Sequence, residues 1–304
     1  MVSKGLSVII SCYNRETTIK KCIESVLVQN YSKDFEIVVS DDGSTDKSVE
    51  IVRSFDEDRI VIIEKNKNNN EQGASAARNR ALAVAKYEYI CFLDSDDYYL
   101  ANYLNTMSNV LDSNPNIGYA FCRAKKEIIF EDGTSEIEDW TRKRLSYLDK
   151  KYHVLYRGSN INTNVIFIRK ILLDKIGFFD SKLIVGEDSD LWIRISEISK
   201  GIFVNIYGSV YRVNHSNNQL TRTSEEIKLT YETKILARAI QRFIESNDSD
   251  KMRLYLLIRK LFFIRMTNKQ GIIYKIIRRL VVSIKSLLKF PITYCRFIFY
   301  AYFK

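Results

Sequence analysis

Four short apolar runs in the N-terminal third constrain the fold of this chain more than any other feature. They occupy residues 6–11 (LSVIIS), 35–40 (FEIVVS), 59–64 (RIVIIE) and 89–93 (YICFL). Each is separated from the next by a segment in which apolar residues recur at helical spacing. Continuous apolar strands that alternate with helices are typical of a parallel sheet covered on both faces. The pattern therefore predicts a doubly wound α/β half-domain.

Polar residues follow three of these runs at the point where each run ends. The polar clusters are residues 11–15 (SCYNR), 41–44 (DDGS) and 94–97 (DSDD). In an open parallel sheet, ligands bind beyond the carboxyl ends of the strands. We therefore expect the three clusters to meet at one edge of the sheet and to form a binding site there.

The second part of the chain is less regular. The pattern predicts strands at 119–123 and 127–131 around a turn at Asp132-Gly133, a strand at 164–168, a helix at 169–176, a helix at 190–199 introduced by residues 186–190, and strands at 201–206 and 209–213. From Ser224 the pattern is helical to the end, apart from a break near 247–250.

The cluster at 94–97 holds three carboxylates. Asp94, Asp96 and Asp97 repel one another, and such a cluster is rarely stable without a cation nearby. Oxygen ligands of this kind suit Mg²⁺ or Mn²⁺, which can bridge a diphosphate. The alternative is a solvated acidic turn. Because a hydrophobic strand leads directly into the cluster, we favour a metal-diphosphate site.

Six stretches of the sequence resemble the motifs of one enzyme family and follow the family's order. They are 7–14 (SVIISCYN), 38–46 (VVSDDGSTD), 73–82 (GASAARNRAL), 92–97 (FLDSDD), 186–194 (GEDSDLWIR) and, more loosely, 211–221 (YRVNHSNNQLT). The sequence is thereby similar to the inverting glycosyltransferases of family 2, of the bacterial surface-polysaccharide type. The resemblance implies a GT-A fold, a Rossmann-like doubly wound mixed sheet, over residues 1–220. Residues 221–304 then form a C-terminal helical extension.

The resemblance assigns five residues to the sugar-nucleotide donor. They are Ser11, Tyr13, Asp41, Arg78 and Asp94. Tyr13 would stack on a uracil ring, Asp41 would accept a hydrogen bond from the base, and Arg78 would neutralise charge at the diphosphate. Asp94 would contact the ribose or a metal-bound water. Two simpler interpretations stay open: Asp41 caps the turn that follows it, and Arg78 is a surface arginine. Arg80 is the other candidate for the contact with the diphosphate.

The resemblance also implies a divalent cation, Mn²⁺ or Mg²⁺, with Asp96 as its direct ligand. His215 follows a predicted strand and lies where many relatives carry a histidine near the metal or diphosphate. A ligand role and a structural role are both open for His215. Asp97 receives no role.

Glycosyl transfer with inversion needs a base that takes a proton from the acceptor hydroxyl. The resemblance assigns this role to Asp188, and the neighbouring carboxylates Glu187 and Asp190 would raise its proton affinity. Acidic residues are also favoured at any helix N-terminus, because the helix dipole attracts them. Glu187 is the second choice for the base. Trp192 forms either an apolar wall for a sugar ring or part of the core.

Charge and cysteine content exclude several other classes of protein. The net charge is +10, but residues 251–304 hold 13 of the 47 Lys and Arg residues and no Asp or Glu, so the body is slightly acidic. No nucleic-acid partner is therefore expected. The 5 cysteines lack C-x-x-C spacing and are predicted to be reduced thiols, which suits the cytoplasm. The sequence shows no motif of P-loop NTPases, serine hydrolases or dinucleotide enzymes, and no signal peptide is predicted.

The C-terminal tail has the pattern of a basic amphipathic helix. Residues 272–290 (IIYKIIRRLVVSIKSLLKF) place large aliphatic side chains on one face and basic side chains toward the other. Such a helix is typical of attachment to an anionic membrane surface. Charged residues interrupt every apolar run well short of the ~20 residues that a membrane span needs. We expect a peripheral enzyme on the inner face of the cell membrane; packing on the catalytic domain or against a second copy is the alternative.

The resemblance implies an enzyme that transfers a hexose or N-acetylhexosamine from a UDP-sugar, with inversion, and together with the basic tail it predicts a surface glycan or lipid-linked oligosaccharide as the acceptor. Two alternatives stay open. A nucleotidyltransferase would use a similar sheet and metal, but it needs a Gly-rich phosphate loop that residues 11–14 do not supply. A non-catalytic scaffold would not need the carboxylates of Asp94, Asp96 and Asp188, which are all present.

Overall fold

The four N-terminal apolar runs form parallel strands, which confirms the predicted half-domain. In a computed structural model they are β1 (Ser3–Cys12), β2 (Phe35–Asp41), β3 (Ile60–Glu64) and β4 (Tyr87–Asp94). Their order in the sheet is β3-β2-β1-β4. The structure describes residues 3–66, 71–140, 161–214, 224–246 and 257. β2 is buried along its whole length, as a strand covered on both faces should be.

Helices cover both faces of this half of the sheet. They are α1 (Ile19–Leu27), α2 (Ser48–Arg53), α3 (Ala74–Val84) and α4 (Tyr103–Asp112). Successive side chains of a strand point to opposite faces. Val8 of β1 therefore belongs to the core that contains Ile23 of α1, whereas Ile9 belongs to the core that contains Leu82 of α3. A continuous apolar run thus supplies both cores.

The second part of the chain extends the sheet with strands of both directions. The strands are β5 (Tyr98–Tyr99), β6 (Ile117–Ile129), β7 (Ser135–Asp139), β8 (Ile166–Arg169) and β9 (Lys200–Asn214). β8 runs antiparallel to β4 and β6, and β6 runs parallel to β9. β5 and β7 pair antiparallel with β9 and β6. Within the described residues this gives one mixed sheet of nine strands, in agreement with the expected fold class.

Two predicted pairs of strands are each a single strand. The segments 119–123 and 127–131 are joined in β6, which ends at Ile129, because Lys125 between them pairs with β7 on one side and β9 on the other. The segments 201–206 and 209–213 are joined in β9. Gly208 lies within β9, and a Cβ at that position would lie 2.5 Å from the Tyr103 ring. That glycine allows close packing rather than ending the strand.

Asp188, the predicted catalytic base, lies in the first turn of a helix. Two further helices are α5 (Lys170–Ile176) and α6 (Glu187–Ile198), and α6 begins three residues earlier than predicted. Gly186 precedes it with a φ of 79°, a left-handed conformation that favours glycine. Arg194 of α6 donates hydrogen bonds to the carbonyls of Ile176, Gly177 and Phe178, which ties the end of α5 to α6.

The chain divides into two compact units, residues 1–222 and 223–304. In the second unit α7 (Glu225–Glu245) begins after Ser224, whose Oγ accepts a hydrogen bond from the N–H of Ile227 (3.4 Å). None of the described helices is long and apolar enough to cross a membrane. The predicted break near 247–250 and the basic segment 272–290 lie outside the described residues. The predicted domain boundary at residue 220 and the membrane role of the tail stay predictions.

Candidate active site

The polar clusters at the ends of β1, β2 and β4 lie side by side, as expected from the sequence. Ser11 of β1 is in register with Ser40 of β2 and with Asp94 of β4. One residue further, Cys12 is in register with Asp41. Three strand ends therefore bring Ser11, Asp41 and Asp94 to the same edge of the sheet.

The loop after β1 is held against the loop after β2 by hydrogen bonds. Asn14 has a φ of 51°, which asparagine tolerates, and its Oδ1 accepts a hydrogen bond from the Thr45 N–H (2.8 Å). The Arg15 N–H donates to Ser48 Oγ (2.6 Å). Tyr13 precedes these anchors and is 54% exposed. An exposed ring on an anchored loop can stack on a planar ligand, as predicted for a nucleobase.

Asp41 caps the turn that follows β2. Its Oδ2 accepts hydrogen bonds from the N–H groups of Gly43 and Ser44 (both 2.9 Å), and its Oδ1 accepts one from Ser44 Oγ (2.5 Å). Gly43 has a φ of 92°, where a side chain would be strained. The capping interpretation is confirmed, and the contact of Asp41 with a base stays a prediction.

An open cavity of about 650 Å³ adjoins this turn. It is lined by Asp41, Gly43, Ser44, Val49, Glu50, Arg53, Glu64 and Lys65. Small-molecule sites commonly have this volume. The cavity lies at the carboxyl ends of β2 and β3, on the side of the sheet edge where a nucleotide is expected.

Arg78 of α3 connects the end of β4 with the start of α6. Its side chain is only 6% exposed, so the interpretation of a surface arginine is wrong. Nη2 donates to Asp94 Oδ1 (2.6 Å), and Nη1 donates to Glu187 Oε1 (3.2 Å). A buried guanidinium is tolerated when it is paired in this way. Arg78 therefore fixes the predicted donor carboxylate relative to the helix that carries the predicted base, while its contact with a diphosphate stays a prediction.

The two residues after Arg78 organise two further loops, a role that motif spacing does not predict. Asn79 Nδ2 donates to the Phe179 carbonyl (2.9 Å), and the Phe179 N–H donates to Asn79 Oδ1 (3.0 Å). Arg80 donates to Asp42 Oδ1 (2.7 Å) and thus contacts another loop than Arg78 does; which of the two arginines contacts a diphosphate stays a prediction. The side chains of consecutive helix residues point about 100° apart, so Arg78, Asn79 and Arg80 contact three different loops. The signal in the sequence is the Arg-Asn-Arg run inside an alanine-rich helix.

Asp97 is buried and joins three segments of the chain. Its Oδ1 accepts a hydrogen bond from the Arg212 N–H of β9 (2.7 Å), and its Oδ2 accepts one from Asn164 Nδ2 (2.5 Å). Asn164 Oδ1 in turn accepts from the Asp94 N–H (2.8 Å). Burial, followed by the charges of Asp96 and Asp94, raises the pKa of Asp97 well above its usual range. Both of its oxygens are engaged in holding the acidic loop.

Asp96, the predicted metal ligand, is 31% exposed, and its Oδ2 lies 3.4 Å from Nη2 of Arg15. Burial, followed by the charge of Asp94, raises the pKa of Asp96, so a bound cation would stabilise its ionised form. The described residues contain no cluster of three or more His, Cys, Asp or Glu side chains that could hold a metal ion. Mg²⁺ is usually held by one or two carboxylates together with substrate phosphates, and Asp96 fits that mode. His215 lies outside the described residues.

Asp188 is the second residue of α6 and is partly buried. Burial, followed by the charge of Glu187, raises the pKa of Asp188 to about 7. Its Oδ1 accepts a hydrogen bond from the Ser189 N–H (2.6 Å). A carboxylate with this pKa is suited to accept a proton near neutral pH. Glu187 is paired with Arg78, so the geometry favours Asp188 over Glu187 as the base.

Two other residues of α6 belong to the interior. Asp190 is 3% exposed and pairs with Arg194 (2.7 Å). Trp192 is fully buried, with its ring centroid 6.0 Å from that of Phe92 and 6.1 Å from that of Phe179. Of the two interpretations of Trp192, the core is therefore correct. The raised pKa of Asp188 comes from burial and then from the charge of Glu187, while Asp190 is engaged by Arg194.

Comparison with known proteins identifies the family. Residues 7–177 match the family model described as glycosyl transferase family 2. The chain belongs to glycosyltransferase family 2. This membership confirms the resemblance carried by the motifs at residues 7–97.

Relatives of this family 2 glycosyltransferase come from several organisms. The UDP-Glc:alpha-D-GlcNAc-diphosphoundecaprenol beta-1,3-glucosyltransferase WfaP of Escherichia coli is 31% identical over 227 residues, covering 73% of this chain and 83% of the relative. The crystal structure of S. aureus TarS 1–349 matches with a TM-score of 0.65 at 22% identity, covering 88% of this chain and 74% of that one. The mannosyltransferase PcManGT from Pyrobaculum calidifontis, in complex with GDP-Man and Mn²⁺, matches with a TM-score of 0.57 at 17% identity, covering 97% and 79%. The two structural matches show that the GT-A fold is shared.

Proposed function

We propose that this family 2 glycosyltransferase transfers a hexose or N-acetylhexosamine from a UDP-sugar to a surface glycan or lipid-linked acceptor, with inversion. The observation that carries the proposal is the buried Arg78, which joins Asp94 to Glu187, the neighbour of Asp188. Membership of the family supports glycosyl transfer over nucleotidyl transfer and over a scaffold.

The relatives support the choice of donor and acceptor. The name of WfaP specifies UDP-Glc and a lipid diphosphate acceptor, and WfaP shares 31% of aligned residues with this chain. TarS, which has the same fold, has been solved with UDP and with UDP-GlcNAc. A UDP-sugar is therefore the first donor class to test.

The proposed reaction needs a proton acceptor and a leaving group on opposite sides of the sugar. Asp188 takes the proton of the acceptor hydroxyl while that oxygen bonds to the anomeric carbon, and the bond between this carbon and the UDP oxygen breaks. Attack opposite to the leaving group inverts the configuration. The pKa of about 7 supports this role, because an ordinary carboxylate is a weaker base. Ser11, Tyr13 and Asp41 would bind the nucleotide.

A divalent cation, Mn²⁺ or Mg²⁺, completes the proposed site. When bound, it supplies positive charge that stabilises the departing diphosphate. Asp96 would hold it, with Asp94 on the donor side and His215 as a further ligand predicted from the sequence. The partial exposure of Asp96 supports the assignment, since a carboxylate oxygen remains accessible at the edge of the sheet.

We also propose that the basic segment 272–290 attaches the enzyme to the inner face of the cell membrane. The support is its amphipathic pattern and the lipid-linked acceptor in the name of WfaP. A lipid-linked acceptor stays in the membrane, so attachment would raise the local concentration of enzyme beside it.

A donor screen tests the proposal. The full chain is incubated with UDP-Glc, UDP-Gal, UDP-GlcNAc or GDP-Man, with Mn²⁺ or with EDTA, and the release of nucleoside diphosphate is measured. We expect release from one UDP-sugar, dependent on Mn²⁺ and stimulated by a GlcNAc-diphosphate lipid. Asp174→Asn, an exposed carboxylate paired with Lys170, is the control that should keep full activity. Release from GDP-Man alone would contradict the donor, and equal release in EDTA would contradict the metal.

A further inference from the structure

The three carboxylates of the acidic loop have different kinds of partner. Asp94 is bound by the buried Arg78 at 2.6 Å. Asp97 is engaged by neutral N–H donors. Asp96 is paired with a cation from another loop, Arg15, at 3.4 Å, and the two side chains are 31% and 38% exposed. Of the three carboxylates, Asp96 forms the ion pair that a ligand can break with the smallest loss of free energy, because partly exposed ion pairs contribute little to stability.

The position of Arg15 is fixed by its own loop. Its backbone N–H donates to Ser48 Oγ (2.6 Å), and its Nη1 donates to the carbonyls of Asn14 (3.1 Å) and Tyr13 (3.3 Å). Asn14 holds the left-handed backbone that turns the chain at this point. The guanidinium is therefore held at the edge where β1 and β4 end, beside Asp96.

A divalent cation bound to Asp96 would lie close to this guanidinium and compete with it for the carboxylate. Two cations close to one carboxylate repel each other, whereas the guanidinium has planar N–H donors that match phosphate oxygens. A diphosphate arriving with the metal would offer Arg15 such oxygens. Nη2 can take a new partner while Nη1 keeps its two carbonyl contacts, because Arg15 is 38% exposed and contacts Asp96 through Nη2.

We propose that Arg15 is a donor-binding residue that balances the charge of Asp96 while the donor site is empty and pairs with the donor's diphosphate when a divalent cation takes Asp96. The inference rests on the proposed function, in which Asp96 is the metal ligand. Arg15 then competes with the metal for Asp96 when no nucleotide is bound, and it binds the nucleotide when one is present. Removing Arg15 should therefore change the two affinities in opposite directions.

The test measures binding rather than turnover. Mn²⁺ binding to the nucleotide-free full chain is followed by electron paramagnetic resonance, and UDP binding at saturating Mn²⁺ is followed by calorimetry. For Arg15→Gln we expect Mn²⁺ to bind roughly two- to fivefold more tightly, as the loss of one partly exposed pair allows, and UDP to bind more weakly by a similar factor. Arg15→Lys keeps the charge and should keep the Mn²⁺ affinity near that of the wild type.

Two controls separate the possible results. Arg59→Gln removes an arginine of similar exposure, 42%, that pairs with Glu57 before β3 begins, so it should change neither affinity. Weaker or unchanged Mn²⁺ binding in Arg15→Gln, with binding lost in Asp96→Asn, overturns the role of Arg15 and leaves the proposed metal site intact. Unchanged Mn²⁺ binding in Asp96→Asn overturns both.

Discussion

The burial that suits Asp188 to accept a proton should also cost the protein stability. In an unfolded chain this carboxyl group has its ordinary pKa of 3.8, whereas burial and the charge of Glu187 raise the pKa to about 7 in the folded protein. At pH values between 3.8 and about 7, the carboxyl group is therefore mostly protonated in the folded state and mostly ionised in the unfolded state. By linkage, the contribution of Asp188 to the free energy of unfolding is most favourable below 3.8 and is lost as the pH rises to about 7.

The size of the effect follows from the pKa shift. The difference between a pKa of 3.8 and one of about 7 corresponds to about 4 kcal/mol, since a tenfold difference in proton affinity is worth about 1.4 kcal/mol. Asparagine cannot ionise and does not carry this cost. We therefore expect Asp188→Asn to raise the free energy of unfolding by up to about 4 kcal/mol at pH 8 and by little at pH 4, while transfer slows by at least ~10²-fold.

Urea denaturation from pH 4 to pH 8, in EDTA and with tryptophan fluorescence as the signal, measures this difference. The difference in the free energy of unfolding between wild type and Asp188→Asn should increase from pH 4 upward and become constant above about pH 7. Asp174→Asn, an exposed carboxylate, should show no such widening. Parallel stability curves for wild type and Asp188→Asn would refute the reasoning, because they would mean that folding does not shift the pKa of this group.

Wild-type kcat/KM should fall below about pH 7 as Asp188 becomes protonated; a flat profile from pH 5 to pH 8 would count against the base. Arg78→Gln removes the shared cation of Asp94 and Glu187, so stability measured by urea denaturation should fall by about 3–5 kcal/mol; an unchanged midpoint would mean that these pairs are not stabilising. Asn164→Ala leaves the buried Asp97 short of a donor and should cost about 1–3 kcal/mol in the same assay, and a smaller loss would show that the acidic loop is held elsewhere. Removing residues 270–304 should abolish sedimentation with anionic vesicles, whereas persistent sedimentation would exclude the tail as the attachment.

The half-domain and its strand-end clusters follow from local patterns. A strand buried on both faces must be apolar at nearly every position, so the runs at 6–11 and 35–40 are recognisable without knowledge of their neighbours. Parallel pairing then aligns the ends of the strands, which is why Ser11 and Asp94 could be expected at one edge. The reaction class came from the family motifs, since spacing alone does not distinguish a catalytic carboxylate from a helix-terminal one.

The links between loops could not be predicted in the same way. Arg78, Asn79 and Asp97 are polar residues whose partners lie in distant parts of the chain, and the side-chain directions depend on where α6 and β9 pack. The extent of β9 also depends on pairing with β6, more than 80 residues earlier. Such contacts leave no periodic signal in one sequence, because they are set by tertiary packing rather than by local propensity.

Acceptor-dependent transfer by Asp188→Asn tests the central claim most directly. With the donor identified by the screen, Mn²⁺ and a lipid-linked acceptor, the variant should transfer sugar at least ~10²-fold more slowly than the wild type. Its affinity for UDP, measured by calorimetry, should be unchanged, because Asp188 is assigned to the acceptor and not to the nucleotide. Transfer at the wild-type rate would contradict Asp188 as the base and the proposed mechanism with it.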